Sequence, residues 1–414
     1  MKNSIYKNFN MCYFLQNRIK EIKTKAFYER SIAHKAPFAN DHKYKEDEPM
    51  SVKDLMREPL KEFSAYMAGG IQIKPVEGKE TVKLNANEMQ MGPSPKAIEA
   101  MADELKRGYL YPMETVGVLK KKIAEYVGKP ASNVTVFGGS GAGIQAIAEA
   151  FLNPDDEVLI CSPTYMAYYR LASRFGGKLV EVEADDGVST DLDKLAEAIT
   201  DKTKLIFICN PNNPTGTILC PEKLEAFINH LPSHVICVID EAYMEWVSIP
   251  DYPSGLKFVE DGKNVIVLRT FSKIFGMAGI RVGYSVANDE ITESIASIAG
   301  TYSTNRIGAV GAVAALEDEE FFKAAYENNT KQREYLTKEM EKLGITVVPS
   351  NTSFIYFAPH CDTRKCMEIL ESEGVFIRYF SEEYIRVSIG LPHQNQLFLD
   401  ALKKAISELK AACA

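Results

Sequence analysis

Thr270-Phe-Ser-Lys273-Ile-Phe-Gly-Met-Ala-Gly-Ile-Arg281-Val-Gly283 follows directly on the β-branched run Val265–Arg269. A lysine stands three residues after a threonine and eight before an arginine, among hydroxyls and glycines. A lysine bound for solvent needs no such setting. A lysine that works as a nucleophile near neutral pH must be partly desolvated. The hydroxyls and the guanidinium beside it suit a phosphate dianion. Taken alone, the stretch also fits an ordinary glycine-containing turn, so its meaning depends on what surrounds it.

Five more short apolar runs precede it: Val134–Phe137, Glu157–Ile160, Lys178–Val182, Lys204–Ile208 and Val235–Ile239. Helical patterns such as Ala142–Leu152 and Cys220–His230 lie between most of them. Runs without strict alternation predict strands buried on both faces. The expected class is α/β, with a mostly parallel central sheet in a large domain. After about residue 300 the pattern changes. Charged helical stretches, Asp318–Leu343 and Gln394–Leu409, flank short strands near Thr346–Val348, Phe354–Phe357, Val375–Arg378 and Tyr384–Ser388. That reads as a smaller α+β domain. The expected division is an extension over 1–52, an N-terminal segment of the small domain over 53–92, a large domain over 93–300 and a small C-terminal domain over 301–414. The extension is rich in Lys, Tyr, Asn and Phe, and is expected to be partly helical over 14–30 or disordered.

Composition sets limits on function. The chain has 414 residues, 46% hydrophobic and 25% charged, which is ordinary globular composition with room for two domains. A net charge of −8 argues against nucleic acid as the main partner. No apolar run approaches a membrane span, and Met11-Cys-Tyr-Phe-Leu15 is too short for a signal-peptide core, so a cytoplasmic protein is expected. The eight cysteines are scattered, with Cys209 and Cys237 in apolar runs that predict buried free thiols. His360-Cys361-Asp362 with Cys366 matches no zinc spacing, and no metal is expected.

Three segments give the lysine a context. Gly138-Gly-Ser140-Gly-Ala-Gly143 follows a predicted strand and opens a predicted helix, where backbone N–H groups and the helix dipole favour a phosphate. It lacks the Lys-Ser/Thr ending of a nucleotide P-loop and the spacing of a dinucleotide fingerprint. Asn210-Pro-Asn-Asn213-Pro214-Thr215-Gly216 is a rigid loop at a strand's C-terminal end, the edge where open α/β sheets bind ligands. Val238-Ile239-Asp240-Glu241-Ala242-Tyr243 ends another buried strand with an acid that is costly to bury without a cation. A protonated pyridine nitrogen would supply that cation. Lysine, phosphate site, acid, Asn and Tyr together meet the demands of pyridoxal 5'-phosphate.

The order and spacing of these segments resemble the aspartate-aminotransferase-like superfamily, fold type I, class I/II, over roughly residues 54–410. Within it the chain is most similar to histidinol-phosphate aminotransferases. Lys83-Leu-Asn85-Ala-Asn87-Glu88, Gly92-Pro-Ser-Pro95, Tyr109-Leu-Tyr111-Pro112, Val375-Phe-Ile-Arg378 and Tyr384-Ile-Arg386-Val carry that resemblance. It implies that Lys273 is the Schiff-base lysine and proton shuttle. It pairs Asp240 with the pyridine nitrogen and Tyr243 and Asn213 with the ring hydroxyl. Ser140, Gly141, Ala142, Thr270, Ser272 and Arg281 would hold the phosphate, and Tyr165 would stack on the ring. Tyr111 would reach the neighbouring subunit's cofactor, which implies a homodimer. Arg386, with Arg378 as second candidate, would anchor the substrate's anionic group, with Asn87 and Met91 near the substrate.

Three departures bear on the substrate. Met89-Gln90-Met91 interrupts the family's usual Asn-Pro-Tyr/Phe, Gly141-Ala142 replaces an Asp-Glu after the small residue, and Ser353 stands where Asn is common. The resemblance implies transfer of an amino group between a histidinol-phosphate-like or aromatic donor and 2-oxoglutarate. The alternative is a lyase, decarboxylase or cyclising enzyme using the same cofactor on an amino acid.

Overall fold

The computed structural model describes residues 51–57, 60–61, 73–300 and 302–413. The expectation of a partly helical or disordered extension over 1–52 falls almost wholly outside these residues. The chain separates into two units, Met1–Met56 and Arg57–Ala414. In the first, the described residues form a single 3-10 turn, Val52–Leu55. Everything below concerns the second.

A seven-stranded sheet organises the larger part. Its strands are β2 (Val134–Phe137), β3 (Glu157–Ser162), β4 (Lys178–Glu183), β5 (Thr203–Cys209), β6 (Ile236–Asp240), β7 (Val265–Thr270) and β8 (Gly283–Val286), after a short β1 (Val82–Lys83) that lies elsewhere. The order is β2-β8-β7-β6-β5-β3-β4. Every neighbouring pair from β7 to β4 is parallel. Only β8 runs against the rest, pairing antiparallel with β2 and β7. This is the α/β fold with a mostly parallel sheet that the sequence predicts. β8 was not among the predicted strands, because four residues after a glycine-rich loop give too short a signal.

The absence of strict alternation along these strands has a direct cause. In β5, Ile206 and Ile208 join the core on one face, while Leu205, Phe207 and Cys209 join the core on the other. In β7, Val265 and Val267 face one side, Ile266 and Leu268 the other. A strand covered by helices on both faces gains burial at every position, roughly 1.5–3 kcal/mol per large aliphatic side chain. Cys209 and Cys237 are buried and free. No helix among the described residues is long and apolar enough to cross a membrane.

A four-stranded antiparallel sheet forms the second part. Its strands are β9 (Thr346–Val347), β10 (Phe354–Ala358), β12 (Arg378–Tyr379) and β13 (Ile385–Ser388), ordered β12-β13-β10-β9. The helices Glu319–Lys342, Thr363–Ser372 and Pro392–Cys413 contribute to its core. The predicted strand Val375–Arg378 is split: β11 (Val375–Phe376) pairs parallel with β1, and Arg378 belongs to β12. Residues 82–88 are thereby stitched to this part, with Leu84 O accepting from Ser388 N at 2.8 Å.

Candidate active site

The C-terminal ends of β6 and β7 open onto a cavity of about 920 Å³. Its wall includes Ser140, Gly141, Tyr165, Asn213, Asp240, Tyr243, Thr270, Ser272, Lys273, Arg281, Arg378 and Arg386. Ligand sites sit at this edge because strand ends there carry loops with free backbone groups. Asn87 lines the cavity too, while Ala142, one residue beyond Gly141, does not. Met91 is absent from this wall: it lines a second, smaller cavity that also reaches Lys273.

Asp240 closes β6 and is 2% exposed. Its carboxylate accepts from Tyr168 Oη at 2.7 Å and from the Ala242 N–H at 3.1 Å. Burial pushes its pKa up to about 6, and those two hydrogen bonds oppose the rise. Tyr168 was not among the sequence candidates. Its signal is the spacing Tyr165-Met-Ala-Tyr168, which puts one tyrosine at the cavity wall and the next a turn further on, fully buried against the acid. Beneath Asp240, Glu241 accepts from Arg269 Nε at 3.0 Å and Nη2 at 2.7 Å, and from the Gly255 N–H at 2.6 Å. This buried ion pair clamps the ends of β6 and β7 together, and so fixes Asp240 relative to Thr270.

The Lys273 loop is tied at several points. The Phe271 N–H donates to Val282 O at 3.0 Å, and the Met277 N–H to Phe271 O at 3.0 Å. Gly276 adopts φ 68°, and a Cβ there would lie 2.2 Å from Gly92 O, so only glycine lets residue 92 pack against the loop. Lys273 Nζ donates to Asn87 O at 3.2 Å and lies 5.3 Å from the centre of the Tyr243 ring. Burial, with Arg386 as the next cause, lowers its pKa to about 8. Lys273 is therefore desolvated in the fold, the condition that a nucleophile near neutral pH requires.

The side of the cavity around Ser140 and Arg281 also has a physical signature. Ser140 opens the helix Ser140–Phe151, and the preceding Gly139 has φ 91°. A Cβ on Gly139 would stand 2.2 Å from Arg281 Nη2, and one on Gly283 would stand 2.4 Å from Ser140 N. Two glycines thus allow a guanidinium and a helix N-terminus to converge. Arg281 itself has φ 64°, an uncommon conformation for a non-glycine residue, held by Nη1 donating to Ala278 O at 2.8 Å and to Ser272 Oγ at 3.3 Å. Thr270 Oγ1 accepts from the Ser272 N–H at 3.1 Å. Helix N-terminus, two hydroxyls and a guanidinium fit a phosphate dianion; a buried acid opposite fits a pyridinium nitrogen.

The remaining wall comes from the smaller sheet. Arg378 and Arg386 are cross-strand partners in β12 and β13, and so project to the same face. Arg386 is held between the rings of Phe354 and Phe380, its carbon 5.0 Å and 5.1 Å from their centres. Its Nη2 donates to Asn85 O at 3.1 Å and its Nη1 to Asn213 Oδ1 at 2.5 Å. With that oxygen taken, the Asn213 amide keeps its Nδ2 donors for an acceptor such as a ring oxygen. Asn87 links both sides: its N–H donates to Ser388 Oγ at 2.9 Å, and its Nδ2 donates to Tyr243 Oη at 2.9 Å. Its φ of 54° is one that asparagine tolerates. Tyr111 lies outside the cavity wall, 72% exposed and stacked on Tyr302 at 4.4 Å between ring centres.

A phosphate-compatible donor set at one end, an acid at the other and a desolvated lysine between them meet the demands of pyridoxal 5'-phosphate, a cofactor that several enzyme families use; sequence comparison identifies which family this chain belongs to. The profile of that family, Aminotransferase class I and II, matches residues 79–402. The chain belongs to the class I and II aminotransferases. The histidinol-phosphate aminotransferase of Moorella thermoacetica is 36% identical over 374 residues, covering 87% of this chain and 96% of that protein. An aromatic amino acid aminotransferase of Cutibacterium acnes is 34% identical over 329 residues, covering 80% and 94%. The solved structure of histidinol-phosphate aminotransferase from Sinorhizobium meliloti in complex with pyridoxal-5'-phosphate matches with a TM-score of 0.75 at 28% identity, covering 80% of this chain and 92% of that one. This class I and II aminotransferase is a pyridoxal-phosphate-dependent transferase of fold type I, and the residues above fit that cofactor.

Proposed function

We propose that the enzyme moves an amino group from histidinol phosphate, or a closely similar amino donor with an anionic end, to 2-oxoglutarate. The reading rests on one observation: Arg378 and Arg386 stand side by side on the wall that faces Lys273. A guanidinium pair offers forked donors to a phosphate or a carboxylate, so it suits both the donor and a dicarboxylate acceptor. The same pairing makes a neutral donor a poor fit.

In this reading, pyridoxal phosphate when bound supplies an electron sink for negative charge at the donor's α-carbon. The residues do the rest. Arg386 and Arg378 fix the anionic end, which orients the α-carbon towards Lys273. Lys273 Nζ would act as the base that takes the donor's α-proton and holds it for return. Asp240 would keep a proton on the ring nitrogen. Tyr243 Oη and Asn213 Nδ2 would hold the ring oxygen, with Tyr165 beside the ring. Ser140, Gly141, Thr270, Ser272 and Arg281 would retain the phosphate.

A second copy of the chain belongs to the reading. Leu105, Tyr109, Tyr111, Met113 and Val118 leave a band of exposed apolar side chains over residues 105–118. In a homodimer this band meets its symmetry mate, and Tyr111 reaches the partner's phosphate site. Steady-state assays with histidinol phosphate, phenylalanine and aspartate as donors, each with 2-oxoglutarate, test the substrate claim. Histidinol phosphate should give the highest kcat/KM; preference for aspartate would overturn it.

A further inference from the structure

Behind Lys273 lies a second cavity of about 10 Å³, the room of a single water molecule. Asn87, Glu88 and Lys273 line both cavities and so form the partition between them. The far wall includes Met89, Met91, Trp246 and Ser353. Residues 89–91 and 353, separated by more than half the chain, are two of the positions where this sequence departs from its family's usual pattern. The fold brings them to one place.

Among the described residues, two polar atoms on that wall have no hydrogen-bond partner. Trp246 is 1% exposed, and its Nε1 is among the buried atoms without one; Ser353 Oγ is another. Buried polar groups in folded proteins are nearly always satisfied by protein or by ordered water. Chemistry decides the occupant. The indole N–H only donates, the lysine ammonium only donates, and the serine hydroxyl does either. A water molecule meets all three, with two lone pairs for the donors and a hydrogen for the serine. An apolar guest would leave the indole N–H and the serine hydroxyl unpaired.

We propose that this cavity holds one ordered water, accepting from Trp246 Nε1 and from the protonated Lys273 Nζ and donating to Ser353 Oγ, which makes Trp246 a positioning residue for the lysine's proton. The water site stands on the cavity and its lining; its part in catalysis rests on the aminotransferase reading above. The consequence concerns the charged form of the lysine. Burial, Arg386 and Arg281 disfavour that charge, Glu88 and Asp240 favour it, and the Tyr243 ring lies beside it. A water that accepts from the ammonium is one more favourable partner, available on the side away from substrate. It gives the lysine somewhere to direct its proton while the main cavity is filled.

Trp246→Phe keeps an aromatic ring but removes the donor along with part of the indole's volume; Ser353→Ala removes the acceptor with little change in volume. Two measurements test the site. The first is a high-resolution crystal structure of the wild-type protein, which should show water density within hydrogen-bond distance of Trp246 Nε1 and Ser353 Oγ. The second is the rate at which added pyridoxal phosphate couples to Lys273 in the apoprotein, followed by visible absorbance across pH. Losing the water should lower the pH midpoint of that rate. A fall of half to one pH unit makes coupling at pH 7 about three- to tenfold faster in Trp246→Phe, since the neutral fraction below the midpoint changes tenfold per unit. Ser353→Ala should shift it the same way by less. A dry cavity, or unchanged midpoints in both folded variants, overturns the proposal. Neither measurement uses an amino donor, so a different reaction would leave both intact. A protein that took up no pyridoxal phosphate would break the functional reading, and the crystal structure alone would then decide the water.

Discussion

Asp240 and Thr270 end strands of five and six residues buried along their whole length, whereas Arg378 sits on a strand of two half-buried residues. The cofactor side is anchored by a parallel sheet with cores on both faces and a buried Glu241–Arg269 pair beneath it. The candidate substrate side depends on the pairing of β12 with β13, on the Asn87–Ser388 bond that ties residues 82–88 to it, and on the Arg386–Asn213 bond that reaches across. One half is set by strands that would be costly to disturb. The other is set by a few polar contacts between segments about 170 and 300 residues apart. Under the proposed function, the chemistry would lie in the more deeply buried half, and the choice of substrate in the half that sequence change can alter without loss of the cofactor.

The largest effect should come from Lys273→Ala. It removes nucleophile and base together, and activity should fall by roughly 10⁴-fold or more, with no covalent cofactor retained after borohydride reduction. Asp240→Ala should come next: kcat falls by about 10²–10³-fold while pyridoxal phosphate still binds, a pattern that equilibrium dialysis and single-turnover rates separate. Equal turnover would remove the acid from its assigned role. Arg386→Ala tests the other half. It should lower kcat/KM for an anionic donor by about 10–100-fold, the worth of one or two charge-assisted hydrogen bonds, while leaving cofactor occupancy unchanged. Loss of the cofactor in that variant would break the distinction between the halves. The smallest change is expected for Tyr168→Phe, about two- to tenfold in kcat, since it removes one hydrogen bond to Asp240.

These halves also differ in how far the sequence disclosed them. Lys273, Asp240, Asn213 and Ser140 each lie within or just beyond a predicted strand or helix start, so a few neighbouring residues were enough to point to the cavity wall they share. Tyr168 was hidden because its partner lies 72 positions away, and nothing local distinguishes a tyrosine facing an acid from one facing leucines. Met91 shows the opposite difficulty. Its place in a motif suggests the substrate, but the folded segment puts it on the smaller cavity behind Lys273 and not on the larger one. The parallel order of the sheet was legible from the double burial of its strands. The position of β8, inserted antiparallel between β2 and β7, was not, because pairing across about 150 residues leaves no local periodicity.

Protonation adds a further contrast. The raised Asp240 carboxyl contributes stability to the apoprotein that is fully present below the ordinary carboxylate pKa and lost as pH rises through about 6. A bound pyridinium offsets that loss by giving the carboxylate a cation. The gain in Tm on adding pyridoxal phosphate should therefore grow as pH is raised from about 4 to 7. A gain independent of pH would place the ring nitrogen away from Asp240.

The central claim is that this cavity transfers an amino group and nothing more. The direct measurement is a reaction of the holoenzyme with excess histidinol phosphate and no keto acid, following cofactor absorbance and donor concentration together. The expected result is a single turnover: the yellow cofactor converts to its amine form, about one donor is consumed per site, and the reaction stops until 2-oxoglutarate is added. Continued consumption of the donor with the yellow form unchanged would contradict it.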